Sequence, residues 1–347
     1  MRSEEFKKIN IIIISSLFIL SGFIPLGISD PIDEKDRAVT LYVGGTGPGN
    51  YSTIQNAIYN ASNGDTIFVY NGTYYENIKI NKTLNLIGEN SITTIIDGGE
   101  NSNVVEISAA STNISHFSIT NAGDTPPNVS GIIIQSNNNI IKNNIIKNND
   151  IYGINLENST GNQIDNNTIK NNGEGIRLSQ SSSNYISDNE IHSNYYGIRN
   201  WNGNSTTIIN NTMNENSKYN IYLYICQQTI ISGNVLNNSI FGIRLWSTTA
   251  ITVMENEIIS NTCGIHINAS SGNNLFYNNY FNNADNINNS GFTNQWNISQ
   301  TNGTNIIGGP FIGGNYWNDH IGHDIDGDGF SDLNIPYGPG DHLPLVP

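Results

Sequence analysis

The hexapeptide FGIRLW at residues 241–246 has close relatives along the chain, which read YGINLE at 152–157, EGIRLS at 174–179 and YGIRNW at 196–201. Aligned on glycine, seven units follow one another at intervals of 22, 22, 22, 23, 22 and 22 residues. The aligned position holds Gly131, Gly153, Gly175, Gly197, Asn220, Gly242 and Gly264. A fixed period of this length, without heptads or paired amphipathic helices, is typical of a solenoid.

Apolar residues alternate within each unit, which predicts a β-strand with one buried face. Isoleucine follows the aligned position in all seven units, at 132, 154, 176, 198, 221, 243 and 265. Two residues later the side chain is again apolar in every unit except one, where Asn200 takes the place. Leucine-rich repeats share this period, but they need several leucines per unit and an asparagine at a different spacing.

Two columns of asparagine predict stacked turns between the strands. The first column is Asn144, Asn167, Asn189, Asn211, Asn234, Asn256 and Asn278. The second is Asn149, Asn172, Asn194, Asn216, Ser239, Asn261 and Asn283. A turn-forming amide can hydrogen-bond to its copy in the next coil, and asparagine tolerates the left-handed backbone of a sharp bend. We therefore expect an all-β fold, a single-stranded parallel β-helix with about 22 residues in each turn.

The sequence on either side of the repeats predicts caps. Ile54, Ala57 and Ile58 have helical spacing, which favours a short helix over the open end of the solenoid. Short strands follow at 66–70, 77–80 and 84–88. The predicted division is residues 30–63 for the N-terminal region and capping helix, 64–283 for the β-helix and 284–347 for a C-terminal cap. Residues 124–129, which contain two prolines, are interpreted as an insertion between turns.

The first 29 residues are interpreted as a secretory signal peptide. Lys7 and Lys8 precede an apolar run over residues 11–26, and small residues follow at Gly27 and Ser29. An uncleaved anchor is the alternative, although the run is short for a membrane span of ~20 residues. Cleavage would leave a secreted or cell-surface protein without a transmembrane span. Fifteen Asn-x-Ser/Thr sequons fit export as a glycoprotein, although many arise by chance in so asparagine-rich a chain.

Composition excludes several classes of protein. Only 12% of the residues are charged and the net charge is −15, so clustered positive charge for binding nucleic acid is missing. Asparagine and β-branched residues disfavour a helical protein.

Cys226 and Cys263 are the only cysteines, and they lie at different phases of the coil. We therefore expect free, partly buried thiols.

A resemblance to a known family supports this fold. Residues 51–90, followed by Asn-x-Ile-x-x-Asn repeats, resemble the NosD-like, pectin-lyase-like right-handed parallel β-helix family over roughly residues 40–345. The segment GGNYWNDHIGHDIDGDGFSDLNIPY at 313–337 is similar to the C-terminal segment of secreted members. The resemblance implies a right-handed coil. It leaves the activity open, because the superfamily includes polysaccharide lyases, hydrolases, epimerases, surface proteins and the accessory protein of nitrous-oxide reductase maturation.

The run DIDGDGFSD at 324–332 predicts a Ca²⁺ site. Asp324, Asp326, Asp328 and Asp332 occupy the first, third, fifth and ninth positions of a calcium loop. Ile335 stands where an EF-hand would place glutamate, so we expect a shorter loop with weaker binding and a structural role. The alternative is an acidic turn without metal.

Copper, which the resemblance implies, has little support, because Met213 and Met254 lie far in sequence from His320 and His323.

Arginine and tryptophan gather in two neighbouring columns that the register places on the outer face of one sheet. The column two residues after the aligned position includes Arg177, Arg199, Tyr222, Arg244 and His266. The column four residues after it includes Trp201, Tyr224 and Trp246. Guanidinium groups bind carboxylates, and exposed aromatic rings stack on sugars. We call these eight residues the arginine–tryptophan face and expect their side chains to point to solvent. Simple decoration of a sheet surface is the alternative.

A catalytic site needs more than these columns provide. A glycosidase requires two carboxylates that flank the sugar bond, and only Glu157 and Glu174 lie beside the arginines. No catalytic residue is predicted. The sequence favours a secreted or cell-surface binding and structural module for an acidic polysaccharide. A polysaccharide lyase or epimerase, or a copper-related periplasmic accessory protein, is the alternative.

Overall fold

The structure, a computed structural model, describes residues 38–124, 129–268 and 270–347. The predicted signal peptide lies outside these residues, as does most of the predicted insertion. No helix in the described part of the chain is long and apolar enough to cross a membrane.

Three parallel sheets run along the described residues, and successive coils contribute neighbouring strands to each sheet. Sheet 1 contains β1 (Thr40–Val43), β2 (Thr66–Val69), β5 (Asn85–Gly88), β8 (Asn113–Ser115), β11 (Ile140–Lys142), β14 (Gln163–Asp165), β17 (Tyr185–Ser187), β20 (Thr207–Ile209), β23 (Ile230–Ser232), β26 (Thr252–Met254) and β29 (Leu275–Tyr277). Sheet 2 contains β4 (Ile78–Ile80), β7 (Val105–Ile107), β10 (Ser130–Ile134), β13 (Tyr152–Glu157), β16 (Glu174–Ser179), β19 (Tyr196–Trp201), β22 (Tyr219–Tyr224), β25 (Phe241–Trp246), β28 (Cys263–Ile267) and β31 (Asp285–Asn289). Sheet 3 contains β3 (Gly72–Tyr75), β6 (Thr94–Asp97), β9 (Ser118–Thr120), β12 (Ile145–Lys147), β15 (Thr168–Lys170), β18 (Glu190–His192), β21 (Thr212–Asn214), β24 (Val235–Asn237), β27 (Glu257–Ile259), β30 (Tyr280–Asn282) and β34 (Tyr316–Trp317).

The predicted right-handed parallel β-helix is confirmed. Each strand of sheet 2 pairs in parallel with the equivalent strand of the next coil, so that Ile132 lies opposite Ile154 and Ile154 opposite Ile176. The isoleucine column and the apolar column two residues on are fully buried wherever they are apolar. Burying one such side chain stabilises a fold by about 1.5–3 kcal/mol, and here the contribution repeats in every coil. Asn200 is also buried in this core, where its amide donates to the carbonyl of Gly203 at 3.1 Å.

The asparagine columns are confirmed as hydrogen-bonded ladders. The backbone N–H and the Nδ2 of Asn189 both donate to Oδ1 of Asn211, at 3.0 and 2.9 Å. Asn211 in turn donates from Nδ2 to the carbonyls of Ile186 and Ile209, both at 3.0 Å. An amide buried in this way satisfies backbone groups that would otherwise be left without a partner at the bend.

Two details of the predicted ladders are wrong. The first ladder passes from Asn256 to Asn279 rather than to Asn278, and it continues to Asn315. The left-handed backbone belongs to the residue before most of the ladder asparagines, for example Asn143 and Asn210 with φ of 57° and 56°. The separation has a physical reason, because the ladder amide must point inward while the residue before it makes the bend.

Both ends of the coil are covered. Helix α1 (Ile54–Asn60) buries Ile54, Ala57 and Ile58 as predicted, and Thr53 caps its first turn by accepting from the N–H of Asn56 at 3.3 Å. The parallel sheets extend beyond the predicted limits of 64 and 283, from β1 to β34. An antiparallel pair, β32 (Thr301–Asn302) and β33 (Phe311–Ile312), lies in the C-terminal segment.

The C-terminal cap is packed with aromatic rings. Trp296 stacks on Phe276 and Trp317 on Phe281, with ring centroids 4.2 and 4.3 Å apart. The carboxylate of Asp341, which is fully buried, accepts from Nε1 of Trp317 at 2.9 Å. Burial raises the pKa of Asp341 to about 6, although hydrogen bonds from Asn315 and Trp317 lower it.

The two cysteines are free, as predicted. Cys226 is fully buried and Cys263 is 5% exposed, and burial raises the pKa of each thiol to about 11. The thiols are therefore protonated at neutral pH, and each behaves as a small apolar side chain.

Candidate functional site

Sheet 2 brings the residues of the arginine–tryptophan face into two columns. Arg177 pairs with Arg199, Arg199 with Tyr222, Tyr222 with Arg244 and Arg244 with His266. In the neighbouring column Trp201 pairs with Tyr224 and Tyr224 with Trp246. Because neighbouring strands lie ~4.8 Å apart, Arg199 and Arg244 are about 10 Å apart along the coil.

Arg199 is held by a carboxylate and three aromatic rings. Its Nη1 donates to Oε1 of Glu174 at 2.7 Å, and the guanidinium carbon lies 5.6 Å from the ring of Trp201 and 5.9 Å from that of Tyr222. Tyr196 supplies the third ring, at 5.7 Å. Burial raises the pKa of Glu174 above its ordinary value, although Arg199 lowers it. The pair is thus a partly desolvated ion pair rather than two solvated charges.

Arg244 occupies a similar position two coils away. Its Nη1 donates to the hydroxyl of Tyr219 at 2.5 Å, and its guanidinium carbon lies 5.2 Å from the ring of Trp246. A guanidinium above an aromatic ring gains roughly 0.5–2 kcal/mol, depending on how far the pair is removed from water. Both arginines are therefore oriented before any ligand arrives.

The expectation that these columns point to solvent is correct for the tryptophans and wrong for Arg177. Trp201 and Trp246 are 42% and 36% exposed, but Arg177 is only 8% exposed. Its guanidinium carbon lies 4.7 Å from the ring centre of Tyr152. An arginine can lie along the surface of its own sheet in this way, because its planar head group stacks on aromatic faces. The accessible part of the face therefore begins beyond Arg177.

A third column on this face was missed from the sequence. In the second to sixth units the residue directly before the aligned position is Tyr152, Glu174, Tyr196, Tyr219 or Phe241, while the first and last units have Ser130 and Cys263. Strict alternation would place them inside with the isoleucines, but the ring of Tyr196 stacks on Tyr219 at 5.1 Å and lies 6.4 Å from Tyr222 on the outer surface. The four aromatic residues at these five positions are the feature of the sequence from which the column could have been predicted.

Lys218 adds a further positive charge to this column. Its Nζ lies between 5.3 and 5.8 Å from the ring centres of Tyr195, Tyr196 and Tyr219. A hydrogen bond with Tyr195 raises the pKa of Lys218 above its ordinary value. The lysine is therefore charged at neutral pH, beside two arginines, on a protein whose net charge is −15.

The acidic loop gathers three of its four predicted ligands. Carboxylate oxygens of Asp324, Asp326 and Asp332 all lie within 4.8 Å of one another. Asp328 is outside that group, and its carboxylate accepts from the backbone of Phe330 at 3.0 Å.

Neighbouring charges perturb this loop. A hydrogen bond from the backbone of Gly329, with others from Gly327 and Asp328, lowers the pKa of Asp324. The pKa of Asp326 is raised, because partial desolvation and the surrounding carboxylates outweigh the hydrogen bond from the backbone of Asp328. Carboxylates that repel one another in a tight turn are the ligands that Ca²⁺ prefers.

The described residues bring together no group of three His, Cys, Asp or Glu side chains that contains a nitrogen or sulfur ligand for copper. Asp324, Asp326 and Asp332 are the one group of three or more His, Cys, Asp or Glu side chains that the described residues bring within reach of one ion. All of their ligand atoms are oxygen, whereas copper sites are built from imidazole, thiolate and thioether. Met213 is buried in the core and Cys226 is buried as a protonated thiol.

Comparisons with known proteins place this architecture in the pectin-lyase-like class of right-handed parallel β-helices. Within that class, residues 58–217 and 200–322 match the family described as periplasmic copper-binding protein (NosD), and the chain belongs to this family. No curated protein matches the chain by sequence.

Several solved structures share the fold. XylC in complex with xylose superposes with a TM-score of 0.60 at 13% identity, over 80% of this chain and 74% of that one. The Dettilon tailspike protein gives 0.54 at 16%, over 62% of this chain and 48% of that one. DFA-IIIase from Arthrobacter chlorophenolicus A6 in complex with GF2 gives 0.51 at 13%, over 63% and 69%. The chain thus spans about half of the tailspike chain, and these likenesses show the fold alone.

Proposed function

We propose that this protein is an exported carbohydrate-binding protein that holds an acidic polysaccharide along the arginine–tryptophan face. The observation that carries the proposal is the register of sheet 2, which repeats a cation and an exposed tryptophan two coils apart. Arg199 with Trp201 and Arg244 with Trp246 form two equivalent pairs separated by Tyr222 and Tyr224.

The chemistry of the two pairs suits a chain of acidic sugars. Each guanidinium would bind a carboxylate or sulfate, and the neighbouring indole would stack on a sugar ring. Their separation of about 10 Å is comparable to that of charged groups along an acidic polysaccharide, so one chain can reach both pairs. Lys218 adds charge between them. A long ligand bound at several such positions needs little affinity at each one.

Family membership and fold support an exported role. The family is described as periplasmic, and XylC, a protein of the same fold, has been solved with xylose. The family description also favours a second candidate, a copper-related accessory role. Copper bound with one defined stoichiometry by the full chain would support that candidate, although the one acidic cluster in the described part of the chain offers only oxygen ligands.

We also propose that the acidic loop binds one structural Ca²⁺ through Asp324, Asp326 and Asp332. The loop lies in the C-terminal cap, so the ion would fix the end of the coil rather than take part in chemistry. Asp328, whose carboxylate already accepts from Phe330, would make the smaller contribution.

A charge-matched pair of variants tests the proposed function. Binding to polygalacturonate, alginate and heparin should weaken as salt rises, because exposed ion pairs are screened within ~10 Å at 0.1 M. Arg244→Gln should weaken binding at low salt by at least tenfold. Lys170→Gln, which removes the same charge from sheet 3, should leave binding unchanged. Equal losses in both variants, or no binding to any of the three polymers, would refute the proposal.

Arg199 is a poor choice for this experiment. Its removal would leave the carboxylate of Glu174 buried without its partner, which destabilises a fold by several kcal/mol when the charge cannot reach water.

A further inference from the structure

A small pocket opens at the C-terminal end of the arginine–tryptophan face. Its lining residues come from β31 and from the C-terminal segment, and they are Asp285, Asn286, Ile287, Asn289, Asp319, Tyr337, Gly338 and Pro339. The cavity volume is about 270 Å³. Drug-sized ligands occupy pockets of roughly 300–1,000 Å³, so this volume suits a single sugar ring rather than an oligosaccharide.

One lining residue of the pocket, Asp285, lies beside the face, where its charge acts on His266. In β31, Asp285 pairs with Cys263 and Asn288 pairs with His266. Cys263 and His266 pair in turn with Phe241 and Arg244 in β25. Asp285 is therefore two coils beyond Phe241, or about 10 Å along the coil. A glycan that follows the face past Arg244 therefore comes to Asp285, at the edge of the pocket, about 10 Å further on.

The carboxylate of Asp319, in the wall of the pocket, is held in a fixed orientation by two hydrogen bonds. Asn286, which is almost fully buried, donates from Nδ2 to Oδ1 of Asp319 at 2.7 Å. The hydroxyl of Tyr337 donates to the same oxygen at 2.6 Å. The ring of Tyr337 is itself held 5.1 Å from that of Trp317. Two donors on one carboxylate oxygen fix the group before a ligand binds, which lowers the entropic cost of recognition.

The protonation of Tyr337 strengthens this arrangement. Burial, together with the hydrogen bond to Asp319, raises the pKa of the phenol above its ordinary value. The hydroxyl is therefore protonated at neutral pH and donates to the carboxylate. Asp319 remains an acceptor for a further donor from a ligand.

The charge of the pocket is opposite to that of the face. Two carboxylates, Asp285 and Asp319, line it, and its described lining contains no Lys, Arg or His. Such a site repels a uronate or a sulfate and accepts hydrogen bonds from hydroxyl groups. The ligand class is therefore different from the one that suits Arg199 and Arg244.

We propose that this pocket, named here the end pocket, binds one uncharged sugar unit at the terminus of the glycan that lies on the arginine–tryptophan face. The inference rests on the proposed function, since it assumes a glycan on that face. It specifies a polymer with acidic units along the chain and a neutral unit at one end. The protein then binds the end of such a chain more tightly than its interior, which contacts the face alone.

Salt separates the two binding events experimentally. In 1 M NaCl, where charges are screened within ~3 Å, attraction between the face and acidic units is suppressed. Uncharged methyl glycosides of common hexoses and pentoses should still bind the full-length chain in this buffer, as measured by saturation-transfer NMR and calorimetry. Asp319→Asn and Asp285→Asn should each weaken that binding at least tenfold. Asp188→Asn, an exposed carboxylate on another part of the coil, is the matched control.

The same variants identify which proposal has failed. Polygalacturonate binding at low salt should survive Asp319→Asn, and methyl glycoside binding should survive the combined change Trp201→Ala and Trp246→Ala. The end pocket is refuted if no methyl glycoside binds, if the Asp variants bind as well as the parent, or if Ca²⁺ alone occupies the pocket and sugars do not. It is also refuted if the tryptophan variant loses the methyl glycoside, because the sugar then lies on the face. Loss of polygalacturonate binding alone would instead count against the proposed function.

Discussion

Asn220 and Ser239 compensate for each other in the second asparagine ladder. Ser239 replaces an asparagine between Asn216 and Asn261, and Asn220 replaces the glycine of its own unit. The amide of Asn220 accepts from Nδ2 of Asn216 at 2.9 Å and donates to Oδ1 of Asn261 at 3.4 Å. The side chain of Asn220 thus connects Asn216 to Asn261 across the coil in which serine replaces the ladder asparagine.

This relationship predicts non-additive mutations. Asn220→Gly should lower the free energy of unfolding by about 1–3 kcal/mol, because buried amides of the ladder lose their partner. Ser239→Asn alone should also destabilise, since two amides would then compete for one space. The double change should recover most of the loss, because it recreates the arrangement of the other coils. Denaturant unfolding of the four proteins measures the coupling, and strict additivity would contradict the compensation.

The buried carboxylate of Asp341 predicts a pH-dependent cap. Its pKa in the folded protein, about 6, lies above the ordinary value of 3.8, so the folded chain holds a proton that the unfolded chain has lost between those values. The free energy of unfolding should therefore fall by roughly 3 kcal/mol as the pH rises from about 4 to about 7. Asp341→Asn should flatten this dependence relative to the parent. Identical slopes in the two proteins would show that other groups cause it.

The ion pair between Glu174 and Arg199 predicts stronger glycan binding in mild acid. The raised pKa of Glu174 means that it takes up a proton above the pH at which an exposed glutamate would. Protonation weakens its hold on Arg199, which then becomes available to an anionic sugar. Affinity for a sulfated glycan, whose own charge does not change, should rise as the pH falls from neutral toward the range in which glutamate titrates. Glu174→Gln should show high affinity across this range, and a parallel pH dependence in both proteins would argue against the mechanism.

Calcium should stabilise the protein through the acidic loop. A ligand that binds only the folded chain raises the melting temperature by mass action. Ca²⁺ should therefore increase the melting temperature of the parent, whereas Asp326→Asn with Asp332→Asn should remove the increase. Asp328→Asn should reduce it only in part, because its carboxylate lies outside the cluster. A melting temperature that does not respond to Ca²⁺ in the parent would reject the site.

The sequence predicted the coil because glycine, isoleucine and asparagine each repeat for a separate physical reason. A side chain at Gly175 would place its Cβ 2.7 Å from the carbonyl oxygen of Gly197, so most residues do not fit at this position. Because the same close contact recurs in successive coils, the glycine recurs with the same period and can be recognised in the sequence. The column of Tyr196 and Tyr219 was missed because it breaks the alternation from which orientation was inferred. Burial of Arg177 over Tyr152 depends on the choice of side-chain conformer, which spacing does not specify.

The end pocket was missed for another reason. It joins Asp285 to Asp319 and Tyr337, which come from segments that carry no repeat. Their proximity depends on how the C-terminal segment packs against the last coil. A periodic pattern contains no information about such a contact.

Tryptophan fluorescence tests the central claim most directly. Trp201 and Trp246 are exposed on the face, whereas Trp296 and Trp317 are buried in the C-terminal cap. Acrylamide should therefore quench mainly the first two, and a saturating acidic polysaccharide should protect them from quenching. The variant Trp201→Phe with Trp246→Phe should show weak quenching that the polysaccharide does not change. If the polysaccharide binds the parent protein and both exposed tryptophans remain as accessible to acrylamide as before, the glycan does not lie on the arginine–tryptophan face.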